Sequence, residues 1–185
     1  MAHFFCKVHG RQLTDVGRED VCCVCEQEAA RVSVAAPRPS KDEWLLAMAA
    51  LTARRATCAR RSVGCVLADA RGHILSTGYN GRPRGFDHCS EGAPCPGADA
   101  PSGTRLDECE AVHAEANALL QCPDVEAIDA CYVTVSPCVW CVKLLLNTSC
   151  RRIVAASPYA HDAQSQDLWR RGGRTWVAAG AEVAR

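Results

Sequence analysis

Two short segments carry side chains whose types and spacing fit metal chemistry. His113-Ala114-Glu115 places a carboxylate two residues after an imidazole, and Pro137-Cys138-Val139-Trp140-Cys141 places two thiols three residues apart. On a helix Cys138 and Cys141 share one face, and C-x-x-C is ligand spacing for zinc. A helix N-terminus favours thiolate over thiol. Pro137 suits a helix start with Ser136 as its cap. His113 supplies a third ligand, leaving the fourth tetrahedral position to water as a catalytic zinc requires. A purely structural site would close instead with a fourth Cys or His. His113 and Glu115 diverge in mid-helix, so the spacing predicts that both point off the end of a first turn. Two thiolates cancel the charge of Zn²⁺ and weaken it as an acid, so Glu115 is expected beside the water as the acid–base group, not as a ligand.

The remaining cysteines ask for the same kind of account. The chain has 14 Cys in 185 residues, opening on MAHFFCKVHG without the apolar core of a secretory signal. Reduced thiolates on zinc therefore explain them better than a disulfide framework, and a cytoplasmic location is expected. Cys6 and His9, twelve residues, then Cys22 and Cys25 form C-x-x-H and C-x-x-C pairs like those of a zinc ribbon, with Cys23 spare. Residues 1–32 hold too few apolar side chains for a core, so metal binding would supply the folding energy, on the order of 10 kcal/mol in such modules. Cys65, Cys122, Cys131 and Cys150 fall in apolar segments and are expected in the core.

The elements that must position these groups follow from pattern. Residues 33–40, SVAAPRPS, read as a linker, which divides the chain into a module at 1–32 and a catalytic domain at 41–185. Ser40 and Glu43 form a capping box, followed at helical spacing by Trp44, Leu45, Met48 and Leu51. VGCVLAD (63–69) and HILSTGY (73–79) predict a hairpin, and residues 80–112 are polar and Cys-rich. Helices are predicted at 113–121, 138–147 and 164–171, and strands at 130–135, 152–157 and 174–179. An initial hairpin followed by alternation implies an α/β fold, three α/β/α layers around a mixed five-stranded sheet. Lys+Arg and Asp+Glu balance at 21 each, which opposes bulk capture of nucleic acid. No apolar run reaches the ~20 residues of a membrane span.

H-x-E…P-C-x-x-C is the signature of zinc deaminases. The resemblance narrows further. Gly78-Tyr79-Asn80-Gly81-Arg82-Pro83-Arg84-Gly85 resembles the GYNGxPxG loop of deoxycytidylate deaminases, HAEANA (113–118) their HAExNA, and CYVTVSPCVWCVK (131–143) their YVTLSPCxxCxK. Arg61-Ser62-Val63-Gly64 lies where that family has a basic residue ahead of VGAV. The order is right over about residues 41–180, although the N-terminal module is foreign to the ordinary family member. The resemblance implies a cytidine deaminase-like fold and hydrolytic deamination of dCMP to dUMP, feeding thymidylate synthesis. Glu115 would pass a water proton to ring N3 and, in a separate step, protonate the departing amine.

The resemblance also implies that Asn80 binds sugar or base, that the loop through Gly81 approaches the phosphate, and that Ser136 and Tyr159 lie at the substrate. Glycines let backbone come close to a ligand, and Arg82 and Arg84 add charge; a solvated loop at a hairpin exit is the alternative. A second, structural zinc on Cys58, Cys89, Cys95 and Cys109, with His88 able to replace one, is implied in the same way, as are a homo-oligomer and dCTP and dTTP as effectors. The competing expectations are a modified deoxycytidine nucleotide, a single-stranded polynucleotide, or a binding module on a deaminase scaffold. The intact Glu115 and ligand set oppose the last.

Overall fold

The computed structural model describes residues 38–101 and 104–178. Cys6, His9, Cys22 and Cys25 therefore lie outside the described residues, as does the division at 1–32 and most of the expected linker. All described residues but Arg38 belong to the compact unit Pro39–Arg185.

The capping box forms as expected. Ser40 Oγ accepts from Glu43 N at 3.2 Å, and Glu43 Oε2 accepts from Ser40 N at 2.7 Å, which starts helix α1 (Lys41–Ala53). The buried stripe of α1 differs from the expected one. Leu45, Ala49 and Ala53 face the sheet, whereas Trp44 and Leu51 are exposed. Small residues win because α1 packs backbone-close on the first strand: a Cβ at Gly64 would sit 2.1 Å from the Ala49 carbonyl oxygen and 2.4 Å from the Ala53 nitrogen.

Strands β1 (Gly64–Ala68) and β2 (Ile74–Tyr79) form the expected antiparallel hairpin. Helix α2 (Ala114–Gln121), strand β3 (Ala130–Val133), helix α3 (Val139–Leu146), strand β4 (Arg152–Ala155), helix α4 (Ala163–Arg171) and strand β5 (Thr175–Ala178) follow. The sheet is mixed, in the order β2-β1-β3-β4-β5. β1 pairs antiparallel with β2 and β3, while β3–β4 and β4–β5 are parallel. Side chains alternate along each strand. Cys65, Leu67, Cys131, Val133, Ile153 and Ala155 join α2, α3 and α4 in one core layer. Val66, Ala68, Ala130, Tyr132 and Val154 join α1 in the other. The three-layer α/β/α architecture expected from the sequence is thus the architecture found. Cys65, Cys131 and Cys150 are fully buried as expected, but Cys122, at the C-terminal cap of α2, is only half-buried.

Strand direction collects the chemistry at one edge. The C-terminal ends of β2, β3 and β4 and the N-terminal end of β1 all lie there, since Gly64 pairs with Tyr79, Cys65 with Val133, and Val133 with Ala155. The strands stop short of their expected ends at 135 and 157, and what remains becomes the connecting backbone around the site. Among the described residues, no helix is long and apolar enough to cross a membrane.

Candidate metal centre and active site

Helix α2 is set on the sheet by a glycine. A Cβ at Gly78 would lie 2.2 Å from the Ala114 carbonyl oxygen and 2.3 Å from the Ala118 nitrogen, so the helix and β2 touch backbone to backbone. His113 is the N-cap of α2, and Glu115 lies in its first turn, the end-on arrangement that the two-residue spacing predicts. Helix α3 begins one residue later than expected. Its N-cap is Cys138, not Ser136, and Pro137 precedes it. Ser136 is instead tied across the ends of β3 and β4, its N and Oγ both donating to the Ser157 carbonyl at 2.9 and 3.3 Å. At the far end of α3, Arg174 donates to the carbonyls of Leu145, Leu146, Thr148 and Cys150 at 2.7–3.0 Å. It satisfies acceptors that a helix end leaves open and fixes the helix that carries both thiols.

His113 Nδ1 lies 3.4 Å from Cys138 Sγ and 3.5 Å from Cys141 Sγ. Among the described residues these form the one group of three metal-binding side chains whose ligand atoms all fall within 4.8 Å of each other. The spacing fits zinc. Tetrahedral bonds of about 2.3 Å to sulfur and about 2.0–2.1 Å to nitrogen put N and S about 3.6 Å apart. The Cys138 thiol is drawn down to about 4, first by the Cys141 thiol and against its burial, with His113 adding to the effect. Cys141 is pushed well up by its bond to Cys138 and by burial, and His113 is raised chiefly by Cys138. A divalent cation at this cluster would hold both thiols in the ionised form. Glu115 is 4% exposed, and burial pushes its carboxyl up.

The other expected contacts gather around this centre to different degrees. Asn80 is buried with both ends of its amide bonded to backbone: Oδ1 accepts from Val63 N at 2.8 Å and Nδ2 donates to the Arg61 carbonyl at 2.7 Å. Gly81 pairs with Val112, immediately before His113. Arg84 is exposed, but Arg82 is half-buried and bonded to Glu110 and to two loop carbonyls. Tyr159 is half-buried, with the Arg61 guanidinium 5.3 Å over its ring and His161 edge-on at 5.5 Å.

The sequence marked Arg61 only as a basic residue ahead of β1; its contact with Tyr159 crosses the sheet and leaves no local pattern. Asn117, whose Nδ2 donates to the Tyr79 carbonyl at 2.8 Å, was likewise visible only within the HAEANA match.

Cys58, Cys89 and Cys95 are buried and Cys109 half-buried. Cys95 N donates to Cys89 Sγ at 3.4 Å, and Cys109 is raised by burial and by the neighbouring Cys58 and Cys95. The four are drawn together, but without the convergence of the first cluster. His88 is exposed.

Residues 39–157 match the family model described as the cytidine and deoxycytidylate deaminase zinc-binding region. The chain is similar to a deoxycytidylate deaminase of Schizosaccharomyces pombe, 38% identical over 141 residues, covering 74% of this chain and 43% of the relative. It is also similar to the deoxycytidylate deaminase of Mycobacterium phage D29, 41% identical over 124 residues, covering 63% of this chain and 94% of that one. The chain thus spans less than half the length of the yeast relatives it matches. Among solved structures, the dCMP deaminase of cyanophage S-TIM5 in complex with dCMP and dUMP shares the fold, with a TM-score of 0.60 and 22% identity over 77% of this chain and 99% of that one.

Proposed function

The chain belongs to the cytidine and deoxycytidylate deaminase family, and from that premise we propose that it hydrolyses dCMP to dUMP and ammonia. The observation that carries this reading is the convergence of His113 Nδ1 with two thiols beside a buried carboxyl, Glu115. When bound by His113, Cys138 and Cys141, zinc supplies a Lewis acid that lowers the pKa of water. Glu115 takes a proton from the attacking water and delivers it to N3 of the cytosine ring; it then takes the second proton from the new C4 hydroxyl and passes it to the 4-amino group, which leaves as ammonia as the C4 carbonyl forms. Burial supports this role, because it pushes the Glu115 carboxyl up and so makes its carboxylate a stronger base toward the attacking water.

Asn80 and Gly81 border the sugar, Ser136 and Tyr159 the base, and Arg84 the phosphate; their place at one edge of the sheet supports this assignment. Cys58, Cys89, Cys95 and Cys109 hold a structural zinc, which their burial and mutual proximity support, and Cys6, His9, Cys22 and Cys25 hold another. A homo-oligomer with dCTP and dTTP as effectors belongs to the same reading. Exposed Trp140 and Leu144, one turn apart on α3, support the oligomer.

The test is ammonia release from dCMP, CMP, deoxycytidine, dCTP and single-stranded DNA. dCMP is expected to lead, and loss of charge-assisted bonds to its phosphate is expected to cost deoxycytidine roughly 10²-fold. Arg84→Ala should weaken dCMP use far more than deoxycytidine use. Equal turnover of dCMP and deoxycytidine, or preference for the polymer, overturns the nucleotide assignment.

A further inference from the structure

Arg82 follows Asn80 and Gly81 directly, in the loop expected to approach phosphate, yet its guanidinium is turned to the protein. Its side chain is 14% exposed, and Nη2 lies 2.6 Å from Glu110 Oε2. Nη1 donates to the carbonyls of Asp87 and Ala93 at 3.1 and 3.2 Å, and the guanidinium carbon sits 5.1 Å over the Phe86 ring. A phosphate ligand must present its donors to the phosphate; here both terminal nitrogens already have partners.

The backbone beside this ion pair explains what it is for. Gly81 and Val112 exchange both hydrogen bonds, Gly81 N to the Val112 carbonyl at 3.2 Å and Val112 N to the Gly81 carbonyl at 2.8 Å. In an antiparallel pair, stepping one residue back on one side and one forward on the other keeps the register. Asn80 therefore lies opposite His113. On the other side of the bridge Arg82 lies opposite Ala111, with Glu110 next along. A single bridge is a short ladder, and the ion pair closes its open end.

We propose that Arg82 and Glu110 form a latch that keeps the Asn80 loop in register with His113, so that Arg82 is a positioning residue of the reaction and not a contact to the substrate phosphate. The role in the reaction rests on the deaminase reading above; the effect on metal retention does not. The latch acts through two segments that bracket the site. One carries Asn80, whose amide holds the backbone of Arg61 and Val63. The other leads without a break into His113 and the first turn of α2. Loosening either lets the metal ligand and the substrate loop move apart. It should reach turnover and metal retention together, while leaving phosphate recognition untouched.

Four variants test this: Arg82→Ala, Glu110→Ala, Glu110→Gln and the double Arg82→Ala/Glu110→Ala. Each is measured for ammonia release from dCMP and from deoxycytidine, and for the rate of zinc transfer to a colorimetric chelator in the phase that Cys141→Ser abolishes. Arg82→Ala and Glu110→Ala are each expected to lower kcat on both substrates by the same factor, roughly tenfold or more, and to speed zinc transfer. The double variant should be no worse than the more affected single one, because the two residues act as one contact. Glu110→Gln keeps an oxygen for Nη2 and should recover most of the loss, which a merely bulky or charged surface residue has no reason to do. A loss confined to dCMP in Arg82→Ala, with zinc transfer unchanged, makes Arg82 the phosphate contact and overturns the latch, as does additivity in the double variant. If the wild type turns over neither compound, the deaminase reading fails, and the zinc-transfer arm still decides the latch.

Discussion

At the scale of single residues, the proposed reaction depends on a carboxyl held where water and base would meet. Glu115 is buried in the first turn of α2, and its position comes from the N-cap His113 just before it. Replacing it with Gln keeps the volume and removes the proton carrier. Glu115→Gln is expected to lose at least the ~10²-fold that a missing acid–base group costs while zinc stays bound, measured as ammonia release alongside metal content by native mass spectrometry. Near-normal turnover of a zinc-loaded variant would sink the assigned role. Glu115 was legible because its chemistry and its neighbour lie two residues apart. For Arg82, nothing near it in sequence points to Glu110, which approaches it only when the chain folds.

At the scale of elements, two glycines decide how closely helices approach the sheet. Gly64 lets α1 settle on β1, and Gly78 lets α2, with His113 and Glu115 at its head, settle on β2. Gly78→Ala puts a methyl group 2.2 Å from the Ala114 carbonyl oxygen, against backbone that cannot turn aside. Overpacking of this kind costs about 1–3 kcal/mol. Urea unfolding should show that loss together with reduced turnover, since the helix that shifts carries the metal ligand; an unchanged midpoint and rate would show that α2 tolerates the displacement.

The capping box of α1 makes a separate prediction about pH. The Glu43 carboxyl is held below its ordinary 4.5 by the Ser40 hydroxyl first and the Ser40 backbone second. A group with a depressed folded pKa contributes its stability in full above its unfolded value and loses it as pH falls through the folded one. The difference in melting temperature between wild type and Glu43→Gln should therefore be constant near neutrality and shrink below pH 4.5. A difference that grows on acidification contradicts the cap. Both residues of the box were readable in advance because the motif spans one turn. The stripe of α1 was not, because burial there is decided by how near β1 lies and not by which side chains are largest.

At the scale of the whole molecule, the mixed sheet brings the residues around 61–63, 80–84, 134–138 and 157–159 to one edge, and the bridge from Gly81 to Val112 adds His113 to them. Metal content is the molecular property that tests the proposed ligand sets together. Three zinc ions per chain are expected by native mass spectrometry. One zinc, with the remaining thiols open to alkylation, would remove both proposed structural sites. The order of strands and helices, the hairpin, the capping box and the H-x-E and C-x-x-C segments were all determined by the sequence itself, because each rests on side-chain periodicity or on groups within a turn of one another. The tertiary structure alone decided which arginine faces the protein and which faces outward, that Asn80 clamps the backbone of Arg61 and Val63, that Cys138 and not Ser136 caps α3, and that small residues of α1 turn inward. Each of these depends on distances between segments remote in sequence, set by strand pairing and by how closely backbones can pack.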